Sequence, residues 1–283
     1  MKAKLTNPVL AKEVKLRFRS PKSFVGVFLY LTAMCLFVFG FIYTTTSLSG
    51  TIYFKPSESV MLFSFLTFIQ LGLVLFITPG LTAGTISGER ERQTLPMLLT
   101  TSQSSFQIIS GKLLSSVLFL LLLIVAGLPI YSLVFLFGGI SPVLLMKSLL
   151  FLFITLLSIG SLGVLFSTLI RKTTVSMIAT YGSMLFFTAV IPFLFLIIVQ
   201  IKQMGAGGTG IAGKSYIGHF LASVNPEIFF ASLLSSDIGM GIEEMTQVHF
   251  PLWIGYVLFY GLIAVLSIWL ASKRLRVNMK KRK

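Results

Sequence analysis

Charge is scarce in this chain. Only 11% of its 283 residues are Asp, Glu, Lys or Arg, and only eight of those are acidic. An ordinary soluble domain carries charge on about a quarter of its residues, so that class is excluded. One aspartate (Asp237) and two histidines (His219 and His249) leave little for metal or acid–base chemistry, and neither histidine has a cysteine or carboxylate at ligand spacing. The lone cysteine, Cys35, can form no disulfide within the chain. No nucleophile with an evident base can be named, so catalysis by this chain is not expected.

What is abundant is apolar surface: 55% of residues are hydrophobic and the mean hydropathy is +0.94. A bilayer core about 30 Å thick needs roughly 20 such residues per spanning helix. Six runs qualify, at about 24–46, 60–86, 106–137, 142–170, 175–201 and 250–272. Lys112 and Lys147 each lie near one end of a run, where a long side chain is expected to snorkel to the headgroups. The runs are apolar on every face, unlike the alternating strands of a β-barrel. The first is too long for a signal peptide and reads as a retained helix. The fold class is all-α integral membrane, with a single six-helix domain over 24–283.

The basic residues orient it. Net charge is +15, and 19 of the 23 lysines and arginines fall on the side that holds both termini and the loops after the second and fourth spans. The positive-inside rule makes that side cytoplasmic. Basic segments flanking spans both set topology and bind anionic lipid, so the charge implies membrane lipids rather than nucleic acid as partner.

Residues 1–23 read as an amphipathic interfacial helix, with Asn7 as cap and Pro8 at its first position. The cytoplasmic segment 87–105 contains SGERERQTLPMLLTT. Thr94 is expected to cap a helix running to Thr101, with Leu95, Leu98 and Leu99 on one face, and Ser104 or Ser105 to cap the third span. Such a helix across the mouth of two spans is suited to receive a push from a soluble partner. Gly127, Pro129 and Pro192 predict kinks in the third and fifth spans, and Ser158, Gly160, Ser161 and Gly163 predict close packing of the fourth. The loop 202–249 holds half of the acidic residues and reads as short helices at the outer leaflet, with no metal-ligand spacing.

Within that loop, Gly208, Gly213, Lys214 and Ser215 satisfy the phosphate-loop pattern letter for letter in GTGIAGKS. The mechanism also needs an entering strand, a helix meeting the phosphates and a magnesium-supporting aspartate. A membrane helix precedes this loop, glycines flank it, and the orientation places it outside. It is expected to be a false match, with no cofactor bound by this chain. The span centres carry no titratable group, which argues against an ion-coupled carrier and places any motor on another chain.

Three stretches carry a family resemblance. NPVLAKEVKLRFRSP, ISGERERQTLPMLLTTSQSSFQIISGKLL and GSLGVLFSTLIRKTTVS resemble segments of the ABC-2 type permeases, the membrane subunits of bacterial ATP-binding-cassette exporters. The middle one is similar to S-G-E-x-E-x-G-T-L-x-x-L-L-T-T-P, with Gln93 in place of glycine and Ser102 in place of proline. The resemblance implies a coupling helix with Glu89, Glu91, Thr94, Leu95, Leu98 and Leu99 nearest the ATPase. It also implies a second permease chain, identical or related, a cytoplasmic ABC ATPase holding ATP and Mg, export of a substrate, and a bacterial plasma membrane. A non-transporting scaffold or sensor and a channel are the alternatives.

Overall fold

The computed structural model describes residues 8–49, 56–100, 103–136, 138–205 and 214–280. Its elements, in order, are α1 (Pro8–Phe18), α2 (Pro21–Ser49), α3 (Pro56–Thr82), α4 (Ser87–Glu91), α5 (Leu95–Leu99), α6 (Ser105–Leu136) and α7 (Pro142–Leu169). Then come α8 (Thr173–Leu185), a π-helical turn (Phe186–Val190), α9 (Ile191–Gly205), α10 (Tyr216–Val224), α11 (Pro226–Leu234), α12 (Ser236–Thr246) and α13 (Leu252–Lys280). No strand occurs among the described residues. Among the described residues six spans are long and apolar enough to cross a membrane: α2, α3 with α4, α6, α7, α8 with α9, and α13. The protein is an all-α integral membrane protein. Asn7, expected as the cap of α1, lies outside the described residues.

Helix α7 is the centre of the bundle, packed on α13, α3, α8 and α6, whereas α2, α8–α9 and α13 turn most of their apolar surface outward. The small residues of α7 make this possible. A Cβ on Gly163 would fall 2.1 Å from Thr82 Oγ1, and one on Gly160 would press on Leu113 of α6 at 3.2 Å. Backbones this close leave no room for side chains between them.

The fifth span, whose sequence predicts a kink at Pro192, carries a π-helical turn (Phe186–Val190) just before the proline. Pro192 has no N–H, so carbonyls one turn earlier lose their donor. Asn225 supplies it: its side-chain Nδ2 donates to Phe187 O at 2.7 Å, and its Oδ1 accepts from Ile228 N at 2.7 Å to cap α11. Asn225 is fully buried at the apex where α10 and α11 meet at 89°. Tyr260 of α13 donates to Val224 O at 2.9 Å, and Phe229 stacks on Tyr256 with ring centroids 4.0 Å apart, which locks this bent pair onto α13.

Candidate functional site

The densest polar network gathers at the end of the bundle that carries α1, α4 and α5. Lys112 stands seven residues into α6, and its sequence position predicts a snorkelling side chain. It does the reverse. The side chain is 4% exposed, and Nζ lies 3.0 Å from Glu13 Oε1 and 3.1 Å from Glu89 Oε1. A buried ammonium is costly unless paired, and carboxylates from α1 and α4 converge to pair it. Sequence position alone could not foretell this, because both partners come from other elements.

Helix α1 is held lengthwise along α6. Glu13 meets Lys112, while Phe18 packs edge-on to Phe119, seven residues further along α6, and the Arg17 guanidinium lies 6.0 Å from the same ring. Burial lowers the Arg17 pKa, and the nearby Glu13 carboxylate opposes that shift. The α1–α2 corner is closed by Ser23, whose hydroxyl donates to Arg17 O at 2.7 Å.

Helix α4 is only five residues long, yet each of its charged residues reaches a different helix. Glu89 takes Lys112 of α6. Arg90 donates to Thr168 O at 3.0 Å and Ile170 O at 3.2 Å, satisfying carbonyls at the end of α7. Glu91 accepts from Thr173 N at 2.8 Å and Thr173 Oγ1 at 2.7 Å, so its carboxylate meets the amino end of α8. From below, Ser167 of α7 accepts from the amides of Ile86 and Ser87 at 2.8 and 2.9 Å. Three other helices are thus wired to one short helix, and α1 joins through Glu13 on the same Lys112.

Between α4 and α5, Gln93 adopts φ +58°, the left-handed region that favours glycine. Thr94 does not cap α5 as its sequence predicts. Its backbone is helical rather than extended (φ −88°, ψ −15°), and its hydroxyl bonds back to the Glu89 carboxylate. The expected cap of α6 is present at Ser104, in reciprocal form: Gln107 N donates to Ser104 Oγ at 3.2 Å and Ser104 N to Gln107 Oε1 at 2.9 Å.

Helix α5 covers Leu95–Leu99, shorter than the Thr94–Thr101 expected, and Thr101 lies outside the described residues. Leu95 is buried, and Leu98 and Leu99 are half-buried against the core. The outward face is Pro96 and Met97, the latter 75% exposed. Glu89, Glu91, Thr94 and the three leucines are therefore committed to contacts within the chain, and Met97 is the apolar side chain offered outward. Sequence reasoning missed Glu13, Thr173 and Met97. Glu13 carried a signal, as the one acid among seven basic residues before the first span.

Of the four residues that match the phosphate-loop pattern, Gly208 and Gly213 lie outside the described residues. Ser215 starts α10 by accepting from Gly218 N at 3.3 Å, and the Lys214 carbonyl accepts from Lys202 Nζ at 2.8 Å. His219 is buried in the same region, with Nε2 2.7 Å from Phe250 O and Nδ1 3.2 Å from Thr246 Oγ1. Among the described residues no group of three His, Cys, Asp or Glu could hold a metal.

The family model described as ABC-2 family transporter protein matches residues 8–271. A comparison with curated proteins finds no match.

Proposed function

Because this chain belongs to the ABC-2 transporter family and is a multi-pass membrane permease component of an ABC transporter, we propose that it forms the substrate pathway of a bacterial exporter. Family membership implies an ABC ATPase as partner. In this reading the ATPase holds ATP and Mg, this chain catalyses nothing, and a second permease chain completes the pathway. Both termini face the cytoplasm of a bacterial cell whose plasma membrane the bundle spans. The supporting observation is the wiring of α4 to α6, α7 and α8, with α1 fastened through the shared Lys112, directly beside an outward-facing apolar residue on α5.

In mechanism, the partner presses on Pro96 and Met97. Helix α5 cannot move alone, since Leu95 is buried and Thr94 is bonded to Glu89. Displacement passes to α4 and from there to the cation of α6, the end of α7 and the start of α8. Packed helices joined by discrete polar contacts switch between arrangements rather than deforming smoothly. ATP-driven approach of the two ATPase subunits would thereby bias the bundle between inward- and outward-open packings.

The test is co-purification with a co-expressed ABC ATPase and substrate efflux, for Met97→Asp and Lys214→Ala in parallel. Met97→Asp places a charge in the proposed contact and should abolish both signals while membrane insertion persists. Lys214→Ala should leave both intact. Repeated recovery of this chain without an ATPase would sink the reading, and loss of efflux in Lys214→Ala alone would invert the assignment of sides.

A further inference from the structure

Where α13 leaves its apolar stretch, a groove of about 560 Å³ opens between it and the start of α6. That is within the roughly 300–1,000 Å³ range of small-molecule sites. Its walls are Phe106, Val265, Ile268 and Trp269, and its rim is Ser272 and Lys273. The composition changes along the groove in the order a membrane lipid does. The apolar walls lie one to two turns deeper along α13 than the rim, and Trp269 stands between, at the position where interfacial tryptophans sit.

Two observations at the rim point to an anionic group. The Lys273 ammonium lies 3.8 Å from the centroid of the Trp269 ring, an arrangement that holds the cation over the groove, and Arg274 is exposed beside it. The Ser272 hydroxyl oxygen is buried and has no hydrogen-bond partner among the described residues. A buried hydroxyl without a partner is expected to find one, and here the neighbouring charge is positive. Pockets between spanning helices that pair apolar walls with basic rims on the cytoplasmic side are suited to anionic lipid headgroups.

We propose that this groove binds one anionic phospholipid of the leaflet facing the chain termini, its acyl chain along Val265, Ile268, Trp269 and Phe106 and its phosphate at Lys273 and Ser272. Such a lipid would join α13 to the start of α6, seven residues before Lys112. The inference requires only that α13 crosses the membrane, so it does not depend on the ATPase reading.

The full chain, reconstituted in lipid discs of phosphatidylcholine doped with phosphatidylglycerol, is extracted into detergent and its retained lipids are counted by native mass spectrometry. Wild type should keep phosphatidylglycerol over phosphatidylcholine. Lys273→Glu should reduce that preference by about tenfold or more, because it replaces the attractive charge at the phosphate with a repulsive one. Lys273→Arg should keep it. Val265→Trp should fill the groove and release the lipid with the rim charge unchanged, and thermal unfolding shows whether each variant is folded. Equal retention of both lipids by wild type, or a preference unmoved in folded Lys273→Glu and Val265→Trp, would overturn the site. So would protection of a cysteine placed at Val265 by a second copy of the chain rather than by lipid.

Discussion

The Nζ of Lys112 lies 3.1 Å from Glu89 Oε1, joining the third span to the segment just after the second. With Glu13 at 3.0 Å, the same ammonium also fastens α1. Removing the cation leaves two carboxylates facing each other at the edge of the bundle. Lys112→Met should therefore lower stability by about 2 kcal/mol, less than for a fully buried pair because both glutamates are partly exposed. Thermal unfolding in detergent checks this, and adding Glu89→Gln should recover part of the loss. A single substitution as stable as wild type would show the pair to be idle.

The turn between α4 and α5 makes a sharper distinction. At φ +58°, Gln93→Gly relieves a backbone conformation that side chains rarely adopt, so thermal stability should hold or rise by up to about 1 kcal/mol. Gln93→Val should do the opposite, since β-branched residues tolerate this region least. If Gln93→Val is neutral and Gln93→Gly is harmful, the turn is not left-handed in the working protein.

Asn225 and Pro192 can be tested as a pair. Asn225→Ala removes the cap of α11 and the donor to Phe187 O, with an expected cost of about 2–4 kcal/mol. Pro192→Ala restores a backbone N–H to the fifth span. In the double variant part of the cost should vanish, because the span can then satisfy its own carbonyls. Simple additivity in the four-variant cycle would refute the exchange of donors.

Gln70 is fully buried in the middle of α3, and both of its amide atoms lack a hydrogen-bond partner among the described residues. Exchanging an unsatisfied amide for an apolar group removes its desolvation cost. Gln70→Leu should raise thermal stability by about 1 kcal/mol. A loss of stability would mean that the amide is paired in the working state.

Much of the architecture is legible in the sequence, and for a physical reason. Spanning helices are set by runs of apolar residues, a local property, and the cap at Ser104 is equally local. Lys112 departs from its expected snorkelling because hydropathy measures distance from the end of a run and not the carboxylates that meet it from 99 and 23 residues away. The partner of Pro192 was hidden in the same way, since Asn225 belongs to a helix pair that folds back from beyond the glycine-rich stretch. At α5, the spacing of Leu95, Leu98 and Leu99 correctly gave one face. It could not say that this face turns inward and leaves Met97 outside.

The central claim is that the outward face of α5 meets the ATPase. With Cys35→Ser as background, single cysteines are placed at Met97 and at Met204, which is 72% exposed near the end of α9. Each is labelled with a photoreactive maleimide in membranes that also contain the ATPase. Illumination should join the ATPase to the Met97→Cys chain and not to the Met204→Cys chain. Capture from Met204→Cys with none from Met97→Cys would contradict both the coupling site and the orientation of the bundle.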